Sequence, residues 1–181
     1  MKRFDRMLQR WRLSVARPYI KRGDKLLDIG CYDGQLFKHV DGLSLGIGID
    51  PGAARTFEEG NIRVIRGLFP QDVPDVGPFD CITMLAVLEH ILPKDQESLA
   101  NGIFKHLKPG GFLMVTVPST HVDYILHILK FFRIIDGMSL EQHHGFNPDE
   151  SPEIFKRAGM ELHARKSFQF GLNNLFVFRK P

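Results

Sequence analysis

The 181-residue sequence has no run of about 18 or more uncharged apolar residues, so no membrane-spanning helix is expected. Its N-terminus is basic but lacks the apolar core of a secretory signal. Cysteine is scarce. Cys31 and Cys81 are the two present, and neither stands at a spacing that pairs metal ligands. Both sit in apolar runs and read as buried, reduced thiols, which fits a reducing, cytoplasmic compartment. An excess of one charge is also missing. A formal net charge of +3, without clustered phosphate-binding or stacking side chains, argues against a nucleic-acid partner. Repeats and low-complexity tracts are absent. With 43% hydrophobic and 25% charged residues, the chain reads as one globular domain, residues 1–181, with its own core.

Residues 2–17 carry Lys2, Arg3, Arg6, Arg10, Arg12 and Arg17, while Phe4, Met7, Leu8, Trp11 and Val15 recur three and four apart. That periodicity predicts an amphipathic helix with a basic face, within a basic N-terminal segment 1–22. Lys25–Ile29 is a short apolar run stopped by Gly30, the mark of a strand buried on both faces. A helix is expected over 35–40, a strand over 44–49, a short helix over 53–59 and a strand over 62–65. The Pro- and Asp-rich stretch 70–78 reads as a loop. A strand over 79–85, a helix over 95–107 and a strand over 112–117 follow. Helix 149–158 then precedes two strand candidates, 160–168 and 173–179, expected as an antiparallel pair at the sheet edge. Alternating strands and helices imply an α/β, doubly wound, Rossmann-like fold with a mostly parallel sheet.

Such sheets bind ligands beyond the carboxyl ends of their strands, where the strand order switches. The first such loop is Asp28-Ile29-Gly30-Cys31-Tyr32-Asp33-Gly34. Glycines at 30 and 34 let backbone approach a ligand, and Asp33 is placed to cap the helix that follows. Asp50 ends the second strand, where a carboxylate can accept hydrogen bonds from both hydroxyls of a ribose. A Gly-rich loop with such an acid is a nucleoside site. A dinucleotide site favours G-x-G-x-x-G around a pyrophosphate, which Asp28 and Asp33 would repel. Beside a cationic sulfonium and an ammonium the same acids are favourable, which tilts the reading from NAD to S-adenosylmethionine.

Leu26–Gly34, Gly46–Asp50, Phe79–Thr83 with Val87–His90, and Leu107–Leu113 resemble, in order, four motifs of the class I S-adenosylmethionine-dependent methyltransferases, of the type-11 and type-23 kind. The resemblance spans about residues 24–180. It implies a seven-stranded sheet whose last strand is antiparallel, and S-adenosylmethionine as cofactor. It also implies a cofactor site of Asp28, Gly30, Cys31, Gly34, Asp50, Pro51, Leu68, Phe69 and Leu85. Two positions depart from the pattern. Tyr32 stands where Gly is common, and its Cβ calls for a negative φ. The stretch Gly67-Leu68-Phe69 has no acid for the adenine amine, so backbone groups of Leu68 with Phe69 as an apolar wall are expected there.

The candidates for chemistry are histidines, whose ordinary pKa suits a base near neutral pH. His143 and His144 follow the long segment after the fifth strand, and His90 follows Glu89 after the fourth, where the acceptor is expected. No third ligand stands at metal spacing, so no metal is expected. Residues 122–137 are apolar on almost every face, which suits a lid within 119–147, a peripheral membrane contact or a homodimer interface. The runs His143–Phe146 and Gly171–Asn174 resemble those of small bacterial methyltransferases acting on small molecules, quinone or lipid precursors and envelope sugars. O-methylation of a small-molecule acceptor is therefore expected. The alternatives are a non-catalytic module of the same fold and another nucleoside-cofactor enzyme.

Overall fold

Lys25–Ile29 forms β1, near the middle of an eight-stranded sheet; the computed structural model describes residues 3–119 and 148–181. The other strands are β2 (Leu45–Ile49), β3 (Phe57–Glu59), β4 (Ile62–Ile65), β5 (Phe79–Leu85), β6 (Leu107–Pro118), β7 (Glu161–Phe168) and β8 (Asn173–Arg179). They lie in the order β3-β4-β2-β1-β5-β6-β8-β7. From β1 the chain works outward through β2 to β4, then returns to the other side of β1 as β5 and β6. The order therefore reverses at β1, which is where ligands bind in such sheets.

The mostly parallel α/β plan matches the reading from sequence, with one strand more. Residues 57–59, expected inside a short helix, pair antiparallel to β4 as Phe57↔Val64 and Glu59↔Ile62. The apolar and charged residues there alternate too briefly to tell a turn of helix from an edge strand. The helix expected over 35–40 is a 3-10 stretch, Gln35–His39, burying Leu36 and Phe37. The antiparallel pair is present at the sheet edge as expected, with β8 as its inner strand. It lies between β6 and β7 and is antiparallel to both. Leu175-Phe176-Val177-Phe178 is a continuous apolar run, and all four are buried. Such a run fits a strand covered on both faces, whereas the charged, exposed β7 suits the rim.

Side chains alternate along each strand and build two cores. On one face Leu27, Ile29, Ile82, Met84, Val115 and Phe178 pack with Ala100 and Ile103 of α2 (Pro93–His106) and with Phe155 of α3 (Ser151–Arg157). Pro93 opens α2, Asp95 lies in its first turn, and Lys105 and His106 lie in its last, each matched to the helix dipole. On the other face Leu26, Cys81, Met114, Leu175 and Val177 meet Leu13, Val15 and Ala16 of α1 (Arg3–Ala16). Gln169 donates its side-chain amide to Leu8 O at 2.7 Å, and Trp11 meets Phe170 edge-on with ring centroids 5.6 Å apart. These contacts bind α1 to the turn between β7 and β8.

Candidate active site

The loop after β1 is left-handed at three positions: Gly30 (φ 76°), Tyr32 (φ 48°) and Gly34 (φ 71°). A Cβ at Gly30 would collide with Val87 Cγ2, so glycine alone lets the end of β1 approach the chain leaving β5. The negative φ expected for Tyr32 is overturned. Its N–H donates to Asp50 Oδ2 at 2.8 Å, which holds the residue in the left-handed region, and Tyr32 is 64% exposed. Gly52 N–H donates to Asp50 Oδ1 at 2.6 Å. Backbone donors on both sides thus set the plane of the Asp50 carboxylate, and each oxygen keeps capacity for a further hydrogen bond. Pro51, between them, is exposed in the turn.

Asp28 lies on β1 opposite Gly48 of β2 and Thr83 of β5, and is 5% exposed. The Thr83 hydroxyl donates to Asp28 Oδ1 at 2.7 Å. Burial pushes the Asp28 carboxyl up to about 7; the Thr83 hydrogen bond opposes this, and the charge of Asp50 adds to it. Cys31 is buried against Gly48, where a Cβ would lie 2.7 Å from its Sγ. Burial, with Asp28 and Asp50 nearby, drives its thiol well above the ordinary range. It is a neutral packing group in the loop, with no thiolate to act as a nucleophile. Asp33 does not cap the following 3-10 stretch as expected. The capping position is Gly34, without a side-chain hydrogen bond, and Asp33 Oδ2 accepts from Gln35 Nε2 at 2.7 Å.

After β4 the arrangement differs from the reading of Leu68 and Phe69. Leu68 N–H donates to Asp72 Oδ2 at 2.8 Å, and Asp72 N–H donates to Leu68 O at 2.9 Å, so a local turn engages both backbone groups. The Phe69 ring packs on α2, 3.1 Å from where a Cβ of Gly102 would stand and 5.4 Å, centroid to centroid, from His106. The loop therefore has an acid, Asp72, folded back from four residues downstream. The sequence signal was the Pro70-Gln71-Asp72 turn composition.

Leu85 ends β5 opposite Thr116 of β6 and is half-buried. A 3-10 turn, Leu88–His90, follows and turns Glu89 inward (5% exposed) and His90 to the surface. Burial pushes the Glu89 carboxyl up to about 7, with its own backbone N–H and Arg12 opposing. Arg12 of α1 is driven down by its own burial, with Glu89 opposing. Arg12 was legible as an anomaly. It stands between Leu8 and Val15 on the apolar stripe of α1, where a charge is out of pattern. His143, His144 and the segment 122–137 lie outside the described residues. Among the described residues no His, Cys, Asp and Glu group could hold a metal ion, and no helix is long and apolar enough to cross a membrane.

Comparison with known proteins agrees with this fold. A methyltransferase domain family model matches residues 2–165. A ubiquinone biosynthesis O-methyltransferase of Marinobacter nauticus is 24% identical over 160 residues, 77% of this chain and 65% of that protein. One of Ruegeria pomeroyi is 28% identical over 171 residues, 87% of this chain and 67% of that protein. The chain thus spans about two thirds of the length of these relatives. The crystal structure of Burkholderia thailandensis 1,6-didemethyltoxoflavin-N1-methyltransferase, with its substrate and S-adenosylhomocysteine bound, superimposes with a TM-score of 0.69 at 16% identity, over 94% of this chain and 77% of that one. With the glycine cradle, the buried Asp28 and the tethered Asp50 at the switch point, the chain belongs to the methyltransferase domain family, within the class I S-adenosylmethionine-dependent methyltransferases.

Proposed function

We propose that this protein transfers the methyl group of S-adenosylmethionine to a hydroxyl of a small molecule, with a lipid precursor or envelope sugar within the same class. The observation that carries the donor half is Asp50. Two backbone N–H groups hold its oxygens at 2.6 and 2.8 Å, and each oxygen can accept one more hydrogen bond, as a ribose diol requires. Gly30 and Gly34 take a left-handed φ at positions where a Cβ would collide with Val87 and Val64. Asp28, its carboxyl raised to about 7, can give up its proton beside an ammonium and pair with it, and Asp72 offers an acceptor to an adenine amine. The residues present therefore fit the cofactor. A bound S-adenosylmethionine supplies an electrophilic methyl carbon on a cationic sulfur. The chain's part is to hold that carbon in line with the acceptor oxygen, which itself lowers the barrier by several kcal/mol, about 7–11 in the best intramolecular cases. His143 and His144 are proposed bases for the acceptor proton. Support for O-methylation comes from the two relatives named as ubiquinone biosynthesis O-methyltransferases.

The test is a calorimetric titration with S-adenosylhomocysteine, with NAD as control. Binding of the former alone is expected, and Asp50→Ala should weaken it about tenfold or more, the loss of two hydrogen bonds to a charged acceptor. Failure of folded, ligand-free protein to bind it would overturn the donor reading and favour a non-catalytic module.

A further inference from the structure

The turn between β7 and β8 holds a phenylalanine out in solvent. Phe170 is 92% exposed, and both it (φ 57°) and Gln169 (φ 53°) are left-handed, a conformation that strains residues with a Cβ. Side-chain hydrogen bonds enforce it. Asn173 Nδ2 donates to Gln169 Oε1 at 2.6 Å, and Gln169, itself buried, donates from Nε2 to Leu8 O at 2.7 Å. The Phe170 ring meets Trp11 edge-on, and Met7, one turn before Trp11 on α1, is 49% exposed. Cations flank these three side chains. Met7, Arg10, Ser14 and Arg17 follow one another along the outer stripe of α1 and just past its end, all exposed, while Leu13, Val15 and Ala16 face the sheet. Lys166, opposite Leu175 of β8, stands on the sheet face that α1 covers and is exposed. Among the described residues no carboxylate forms a salt bridge with Arg10, Arg17 or Lys166. Asp41 shares a cleft with Arg17 and Arg22, at the end of α1 away from Phe170. The turn lies at the carboxyl end of β6, where Asn173 pairs with Pro118, on the same end of the sheet as the loop after β1.

We infer that the outer face of α1 and the β7–β8 turn form a docking surface for an anionic lipid bilayer. Phe170 and Met7 enter the acyl boundary, Trp11 sits at the headgroup level, and Arg10, Arg17 and Lys166 meet lipid phosphates. The inference stands apart from the methyl-transfer reading. Charge decides the occupant. A second copy of the chain would bring the same arginines and lysine against these, and like charges across an interface repel. A negatively charged surface instead attracts each of them. Shape points the same way. A ring held almost wholly in water is a wedge, and a fluid apolar phase admits a wedge without a matching pocket. Two or three apolar side chains give weak, reversible membrane binding, so stable docking takes the second, electrostatic signal that the flanking cations supply. An aromatic with a polar handle, such as Trp11, is suited to the boundary between the two.

Trp11 is the single tryptophan of the chain, so its emission reports on this surface. The full chain would be titrated with vesicles of phosphatidylcholine alone and with vesicles of phosphatidylcholine and phosphatidylglycerol in equal parts. Co-sedimentation and a blue-shifted emission are expected with the mixed vesicles, with affinity about tenfold or more above that for the neutral ones, and high salt should remove most of the difference. Phe170→Ala should weaken binding to the mixed vesicles about tenfold, and Arg10→Gln about fivefold. Both positions are exposed, and Arg10→Gln keeps the test intact if loss of Phe170 disturbs the turn. No binding to either vesicle, equal binding to both, or unchanged affinity in the two variants would overturn the inference. A lipid-free dimer in sedimentation equilibrium that Phe170→Ala dissolves would also overturn it, by giving the face to a second copy. So would a lipid-free Trp11 that acrylamide cannot quench, because the chain would then cover the face itself.

Discussion

Asp28 illustrates how burying one carboxyl makes stability depend on pH. Its carboxyl is raised to about 7 chiefly by burial, against 3.8 for an ordinary Asp. Between those values the folded chain holds a proton that the unfolded chain has released. Stability from this group is therefore greatest below about pH 4 and falls as pH rises toward 7. Glu89, raised to about 7 from 4.5, adds a slope of the same sign. Asp28→Asn removes the first of these. In thermal melts without ligand the variant should gain on the parent as pH rises from 4 to 8. The same variant should bind S-adenosylhomocysteine more weakly at pH 8. Equal melting differences at both ends of the range would show that Asp28 is not protonated near neutrality.

Among the elements, the loop after β1 and the turn after β5 are coupled by one contact. A methyl group at Gly30 would collide with Val87 Cγ2 and would also have to adopt φ 76°. Gly30→Ala is expected to cost about 1–3 kcal/mol from overpacking and backbone strain. Val87→Ala in the same chain should return the steric part and leave the backbone part. Urea unfolding of the two single variants and the double variant measures this. Additive losses would mean that the two segments do not press on each other as described.

For the molecule as a whole, the placing of β8 inside the sheet decides where stability resides. Phe178 is fully buried and touches Phe155 of α3 with ring centroids 4.8 Å apart. Leu162, its partner on β7, is 37% exposed at the rim. Phe178→Ala should cost about 3–5 kcal/mol, whereas Leu162→Ala should cost about 1 or less. Denaturant midpoints report both. Similar losses at the two positions would contradict an interior β8.

Much of this was legible along the chain. Short apolar runs stopped by Gly30 and by Asp50-Pro51 mark buried strands, because buried parallel strands must be apolar throughout and must turn sharply where they finish. Acids beside those glycines choose a cationic cofactor over a pyrophosphate by charge alone. What pattern could not supply depends on atoms distant in sequence. Tyr32 turns left-handed because Asp50, 18 residues on, accepts its N–H. Residues 57–59 become strand because β4 offers an open edge. Asp72 reaches the loop at Leu68 through a turn that composition suggests but cannot aim. The sequence by itself determined the periodicities, the α/β class and the charge of the cradle, since these follow from local sterics and from which residues water excludes. The tertiary structure alone decided that β8 runs inside the sheet and that Glu89 faces inward while His90 faces out. It also decided that a single arginine on an apolar stripe is half-buried and faces Glu89 electrostatically, because burial and electrostatic coupling depend on which distant elements meet.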